Sequence, residues 1–391
     1  MGCTVIGCGK AVPAREVSND DLSRLVDTTD EWIVERTGIR TRRVSTTETA
    51  TDLAVAASRA ALGLPAANRI EAAGWASGSA SPVAGACDPT ETLQSINLLI
   101  CMTISPDATV PSQAALVRSA LGLSNAVAFD LNAACTGCVY GMTVAESMMA
   151  ASNLAAGGHG NRIRRALVVG VECLSRITDW TDRTTCILFG DGAGAVVLEW
   201  SDEKPGILSN FLKNTDDNEF SLARRNLFDY STFPFPHGSD KEKGAGDADG
   251  EGGPVGKTAA DGEKAGGSHD IEVTFSPFIV MNGQQVFKFA TYAMVEAIEA
   301  VLERAQTDIG DVACIVPHQA NERIIRYAAK KLGTPIDLFQ VSIASTANTS
   351  AASALMALAD AHLAGRINEG DKVVVAGFGG GLTSGAVLFE A

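Results

Sequence analysis

A chain of 391 residues, 46% apolar and 20% charged, has the composition of a folded globular protein and the length for two core-forming units. Its net charge of −15 excludes non-specific nucleic-acid binding as a main function, because that needs a basic footprint. No apolar run approaches the roughly 20 residues that cross a bilayer, so no membrane span is expected. Residues Met1–Gly9 also lack the basic start and apolar core of a secretory signal.

In chain order, the spacing of apolar residues predicts helices over Thr49–Leu62 and Ser112–Leu121, with a short buried strand over Asn97–Ile104 between them. The intervening stretch Trp75–Thr92 is rich in Gly, Ala, Ser and Pro and reads as an inserted loop. A strand over Ala126–Leu131 runs into Ala133–Ala156, which is small or apolar on nearly every face. A helix of that kind belongs in the middle of a protein, between sheets. Strands follow at Ala166–Glu172 and Ala193–Trp200. Gly238–Asp270 has no aromatic residue and a single branched aliphatic, Val255, so it reads as an exposed, flexible, low-complexity insertion. Beyond it come a helix at Tyr292–Arg304, a strand at Val312–Val316, a helix at Asn321–Leu332 and a strand at Lys372–Ala376. This alternation predicts an α/β fold. The runs GAGAVVLE (Gly192–Glu199) and SGAVLFE (Ser384–Glu390) each follow a turn that begins Phe-Gly, which points to two related halves at about 1–200 and 205–391.

Nine cysteines form no regular framework and sit mostly in apolar stretches, as buried thiols of a reducing compartment would. Cys135 and Cys138 form one CxxC, but none of the five histidines lies near it, so no metal site is expected. Three polar positions carry candidate chemistry. Cys135 stands where a strand passes through a small-residue turn into a helix. Unpaired N–H groups and the helix dipole there favour a thiolate nucleophile; a buried structural Cys is the other reading. His318, in PHQAN, lies at a strand-to-helix junction, the sheet edge where α/β proteins build sites, or is a core histidine. Asn348, in NTSAAS, precedes an apolar helix and would equally serve as its cap.

The order Cys135, PHQAN, NTSAAS and GFGGGLTSG resembles the β-ketoacyl-acyl-carrier-protein synthase III branch of the thiolase superfamily. DEWIVERTGIRTRR (Asp30–Arg43), TDR (Thr181–Arg183), LFGDGAGAVVL (Leu188–Leu198) and MNGQQVFKFA (Met281–Ala290) extend the likeness over all of the chain except the two insertions. Similar superfamily members pair the Cys with two His, with a second Cys and one His, or with His and Glu; here the partner is Asn348. The resemblance implies a thiolase-like fold, two similar halves in a five-layered αβαβα sandwich. It also implies a ping-pong reaction that starts fatty acid biosynthesis. Cys135 takes a short acyl group from CoA, and N–H groups of Cys135 and Gly380 form the oxyanion hole. Malonyl-acyl-carrier protein then loses CO₂, with neutral His318 and the Asn348 amide donating to the enolate, and the carbanion takes the acyl group from Cys135. No step calls for a cofactor.

The resemblance further implies that Trp32, Arg36 and Arg183 bind CoA, although Trp32 also suits a helix core. Val110 and Phe189 match acyl-pocket positions. Many relatives carry an aromatic where Val110 stands, which implies a deeper pocket, and Ser384 stands where relatives often have Trp. Lys288, Arg323 and Arg326, continued by Lys330, would form a basic patch for the acidic acyl carrier protein, or an ordinary solvated helix face. A homodimer and a cytoplasmic location are expected, with a plastid as the alternative if a transit peptide has been removed. The competing reading is a non-decarboxylating acyltransferase or condensing enzyme of secondary metabolism on the same scaffold.

Overall fold

Short apolar runs rich in Val, Ile and Ala become the strands of two sheets. The structure is a computed structural model that describes residues 1–65, 70–76, 88–154, 162–217, 221–224 and 277–391. These fall almost wholly in one unit, Met1–Ala223 with Phe278–Ala391. The low-complexity stretch 238–270 lies outside the described residues.

The first sheet contains β1 (Gly2–Val12), β2 (Glu71–Ala76), β3 (Leu98–Met102), β4 (Val127–Leu131), β5 (Arg165–Cys173) and β6 (Asp191–Ser201), in the order β2-β1-β6-β5-β3-β4. The second contains β7 (Ile207–Asn214), β8 (Val312–Pro317), β9 (Lys372–Gly379) and β10 (Thr383–Glu390), in the order β8-β9-β10-β7. Four neighbouring strands of the first sheet repeat the pattern of the second. β3 runs parallel to β5, which is antiparallel to β6, which is antiparallel to β1. Likewise β8 is parallel to β9, antiparallel pairing follows to β10, and again to β7. The similar runs GAGAVVLE and SGAVLFE fall in β6 and β10, the third strand of each series.

The helices that cover these sheets or border the site are α1 (Asp30–Thr37), α2 (Ala50–Ala61), α3 (Gln113–Leu121), α4 (Gly137–Leu154), α5 (Gly283–Arg304), α6 (Glu322–Lys331) and α7 (Ser353–Leu363). Consecutive strand residues face opposite layers. Ile100, Val168 and Val196 pack with Met142 and Met149 of α4 and Leu355 and Leu358 of α7, and so do Val375 and Val387 of the second sheet. Their neighbours Leu99, Val169 and Val197 face Leu53 and Ala57 of α2 and Val117 of α3. Val374 and Leu388 face Ile298 of α5 and Ile325 of α6. Both faces of each sheet are therefore covered, which is why the strands read as continuous apolar runs. The layers are helix, sheet, helix, sheet, helix, with α4 and α7 in the middle.

Three boundaries differ from expectation. The central helix begins at Gly137, after a 3₁₀ turn over Ala134–Thr136, because Ala134 takes a left-handed φ of 46° that interrupts the helix. The helix expected from Tyr292 starts at Gly283, where the Asn282 side chain accepts from the Gln285 N–H and caps it. The supposed loop Trp75–Thr92 ends in regular structure on both sides: Trp75 and Ala76 belong to β2, and a helix spans Pro89–Gln94. Residues 77–87 lie outside the described residues.

The strand β6 touches α7 through Gly194. A Cβ there would stand 2.6 Å from both the Leu355 Cβ and the Met356 N. Gly194→Ala is expected to cost about 1–3 kcal/mol by overpacking, read as a lower urea midpoint with an unchanged slope. An unchanged midpoint would mean that strand and helix can separate freely.

Candidate active site

Three turns, each at the end of an apolar strand or the start of a central helix, converge on one small cavity. Its volume is about 80 Å³, and its lining includes Cys135, Phe189, His318, Asn348, Phe378 and Gly379. Cys135 sits in the 3₁₀ turn that opens α4, and is 5% exposed. The end of β9 passes so close that a Cβ on Gly379 would lie 2.8 Å from the Cys135 N and 2.9 Å from its Cβ. Only glycine fits there, and the backbone of Gly379 and Gly380 is thereby laid against the nucleophile turn. One expectation changes. A helix start favours a thiolate, but burial dominates here and pushes the Cys135 thiol up to about 12. At rest Cys135 is a thiol.

His318 follows the last residue of β8 and is 1% exposed. Its N–H donates to the Ala376 carbonyl at 2.7 Å, so the sheet itself carries the residue. The ring packs edge-on against Phe378 with centroids 5.2 Å apart. Its Nδ1 lies 2.5 Å from the Ser353 Oγ. The Gln319 N–H donates to that same oxygen at 3.3 Å, which leaves the Ser353 hydroxyl proton for Nδ1. With the Ser353 hydroxyl donating to Nδ1, the ring carries its proton on Nε2, the tautomer that can donate into the cavity. Desolvation lowers the imidazole pKa to about 3, so the ring is neutral at physiological pH.

Asn348 is held by its backbone and its side chain at once. Its N–H donates to the Leu188 carbonyl, and the Gly190 N–H donates to its carbonyl, both at 3.0 Å, bracketing Phe189. Its Oδ1 accepts from the Ser350 N–H at 2.8 Å, which leaves the amide NH₂ for the cavity. Asn348 is thus a fixed donor and caps no helix.

Gln319 was not singled out from the sequence. Its Nε2 donates to the Pro317 and Gln340 carbonyls at 2.8 and 3.0 Å, and its Oε1 accepts from the Ser342 and Ile343 N–H groups at 2.8 and 3.1 Å. The side chain is fully satisfied and joins the His318 turn to the segment leading to Asn348. Ser353 was missed as well. The signal available for Gln319 was a lone amide between a histidine and an amphipathic helix; nothing in NTSAAS tells which serine faces the ring.

A wider opening of about 1140 Å³ shares Leu188, Met281, Gly283, Phe287 and Asn321 with the small cavity. Trp32, Arg36 and Arg323 line it. The guanidinium groups of Arg36 and Arg183 lie over the Trp32 ring at 4.3 and 4.9 Å from its centroid. The Asn321 side chain caps α6 and donates to the Arg36 carbonyl at 2.9 Å, which ties this rim to the catalytic turn. Arg323 stands over Phe287 at 5.6 Å from the ring centroid. Lys288 is exposed, but Arg326 is paired with Glu322, N to O 2.5 Å, so the expected basic patch has one of its charges offset. Phe189 lines the small cavity as expected. Val110 does not: it is 87% exposed. Among the described residues no group of three or more His, Cys, Asp or Glu side chains is placed to hold a metal ion.

A buried Cys beside two neutral donors, on two sheets of matching topology about central helices, defines a thiolase-fold condensing enzyme. The comparisons narrow the class. Models of 3-oxoacyl-[acyl-carrier-protein] synthase III match residues 129–216, and of its C-terminal part residues 302–391. A β-ketoacyl-[acyl-carrier-protein] synthase III of Clostridium beijerinckii is 38% identical over 99% of this chain and 98% of its own. The synthase III structures from Aquifex aeolicus and Thermus thermophilus are each 33% identical, with TM-scores of 0.75 and 0.76. The first covers both chains fully, and the second covers 99% of each. The chain belongs to the β-ketoacyl-acyl-carrier-protein synthase III family.

Ser353→Ala leaves Nδ1 without its partner and releases the ring to its other tautomer. Malonyl decarboxylation is expected to fall about tenfold or more, as for loss of an oxyanion donor, while acylation of Cys135 continues. Equal loss in both half-reactions would assign Ser353 to packing alone.

Proposed function

We infer that the chain joins an acyl-CoA primer to malonyl-acyl-carrier protein with loss of CO₂, the condensation that initiates fatty acid synthesis. The observation that carries this reading is the pair of neutral donors, His318 and Asn348, facing one cavity with Cys135. A developing enolate needs hydrogen-bond donors that do not protonate the carbanion. An imidazole with a pKa of about 3 and a carboxamide meet that need. The alternative, an acyltransferase that does not decarboxylate, has no use for the second donor. Each step is served by side chains and backbone, and we assign no cofactor.

In the first half-reaction Cys135 takes the acyl group, with the Cys135 and Gly380 N–H groups as the oxyanion hole. The small cavity, walled by Phe189, suits a short primer. CoA enters through the wider opening, and a purine displaces one guanidinium from the Trp32 face. The carrier protein docks at Lys288, Arg323 and Arg326, with Arg323 dominant because Arg326 is already paired. β4 is the outermost strand of its sheet and Val127 on it is 62% exposed, which supports a homodimer joined along two such edges. The turn bearing Val110 leads into α3, whose first N–H groups donate to Asp130 of β4. Val110 therefore serves the pocket of the second copy. No helix among the described residues is long and apolar enough to cross a membrane, and the relatives compared are bacterial; we place the chain in the cytoplasm.

His318→Ala and Asn348→Ala are each expected to lower malonyl decarboxylation about a hundredfold or more while acylation by acyl-CoA, followed by intact-protein mass spectrometry, persists. Unchanged decarboxylation in both variants would overturn the roles given. Arg323→Glu should raise KM for malonyl-acyl-carrier protein and scarcely alter acylation by acyl-CoA. Because rim charges act through association and are screened, the wild-type KM should climb with salt and that of the variant should climb less. Identical salt dependence would move the docking site elsewhere.

A further inference from the structure

The triad lacks a base for its first step. Acylation must remove the Cys135 proton, yet burial holds that thiol up at about 12. His318, with a pKa of about 3, is a poor acceptor and is needed as a neutral donor. Behind Cys135 lies a carboxyl group to which the condensation gives no role. Glu172, near the end of β5, is 0% exposed. It accepts from the Ser105 Oγ at 2.5 Å, the Ile104 N–H at 3.1 Å and the Thr103 Oγ1 at 3.2 Å, all neutral donors. Burial without a cation raises its pKa to about 7.

Ser350 stands between the two groups. It is 1% exposed, and its Oγ has no hydrogen-bond partner. The turn that carries it packs both against the Ala134–Thr136 turn that bears Cys135 and against β5, which bears Glu172. The Ser350 φ of 46° is unusual for a residue with a Cβ and sets where the hydroxyl points. The turn that carries it is wedged against both neighbours. A Cβ on Gly170 of β5 would meet the Ala351 carbonyl at 2.4 Å, and one on Gly137 of α4 would meet the Ala351 Cβ at 3.2 Å.

We propose that Glu172 is the proton store of the acyl-enzyme, loaded and emptied through the Ser350 hydroxyl. This rests on Cys135 being the acylated residue. In acylation the Cys135 S–H bond breaks as the sulfur–acyl bond forms. The thiol proton passes to the Ser350 Oγ, whose own proton moves to the Glu172 carboxylate, and CoA departs as its thiolate. In condensation malonyl-carrier protein loses CO₂, and the resulting carbanion displaces the Cys135 thiolate. The thiolate then recovers its proton from Glu172 by the same route. Charge balances over the cycle: the carboxylate of malonate enters, and the CoA thiolate leaves.

Glu172 lies on the side of β5 that meets the Cys135 turn, and its charge adds to burial in raising the Cys135 thiol; Cys101 of β3 is on the opposite face with Cys173, and its thiol too is raised chiefly by burial. Cys101 also feels Asp130 and Asp107. The next residue, Cys173, points to the opposite face of β5, where Asp191, Arg176 and Asp107 surround it. The active form in acylation is the Glu172 carboxylate, and its population rises with pH through about 7.

The test is rapid-mixing infrared difference spectroscopy of the wild-type protein on acylation by acetyl-CoA at pH 8, read before a carboxyl with a pKa of about 7 returns its proton to solvent. A C=O stretch of a protonated carboxyl, shifted in D₂O, is expected to appear, and to be absent from Glu172→Gln. No such band in the wild type overturns the proposal, as does a band that survives in Glu172→Gln. Rapid-mixing acylation gives a second readout. The wild-type rate should rise with pH through about 7, and Glu172→Gln and Ser350→Ala should be at least tenfold slower at pH 8 with a flat profile. Variant pH profiles that superpose on the wild type would overturn the relay. If the wild type fails to decarboxylate malonyl-carrier protein yet shows the band, the condensation reading fails and the proton store stands.

Discussion

The active site depends on three places where backbone meets backbone with no room for a side chain. Gly379 lies on the Cys135 turn, Gly190 on the Thr346 carbonyl and Gly170 on the Ala351 carbonyl. Each contact joins a residue in or beside a strand to a turn from a different part of the chain, and together they bring Cys135, His318 and Asn348 to one cavity. The turns themselves are strained: Ala134, Ala347 and Ser350 all have positive φ, at 46°, 56° and 46°. Such residues cost roughly 1–3 kcal/mol each unless the surroundings enforce them. Here the surroundings are two sheets buried on both faces and two apolar helices between them, so the strain is borne by packing some distance from the chemistry.

Burial then sets the electrostatics, and it acts in opposite senses on the two titratable members of the site. It keeps His318 neutral, which suits a donor to an enolate, and it keeps Cys135 protonated, which does not suit a nucleophile. A drier pocket would sharpen the second half-reaction and handicap the first. Desolvation of the buried thiol is the largest influence on the Cys135 sulfur. The site therefore has to be understood as two half-reactions with conflicting demands on one dielectric environment.

Much of this was legible in the sequence. Strands buried on both faces appear as unbroken apolar runs, and the central helix declared itself by having no polar face. The order of Cys135, His318 and Asn348 carried the resemblance that placed the catalytic turns. What remained hidden depends on angles and neighbours. A positive φ at Ala134, which delays the helix to Gly137, leaves no mark in a run of small residues. The pairing of Ser353 with His318 joins residues 35 apart through one hydroxyl among several in NTSAAS. Arg326 reads in the sequence as available to a partner, but Glu322, one turn earlier, holds it. Val110 matched a pocket position by its place in the chain, yet it stands 87% exposed and does not line the cavity.

The Gln319 amide uses both oxygen lone pairs and both N–H bonds, spanning the end of β8 and the segment that leads to Asn348. A glutamate there would set a carboxylate against two carbonyls, and a shorter amide would reach only one side. The spacing between His318 and Asn348, the enolate donors of the proposed condensation, is thus governed by one side chain that lines neither opening. Along a lineage, the cavity wall at Phe189 and the rim at Trp32 are free to drift toward other acyl groups and other carriers. The separation of the two donors is passed on as a single trait, because any change to it must pass through residue 319.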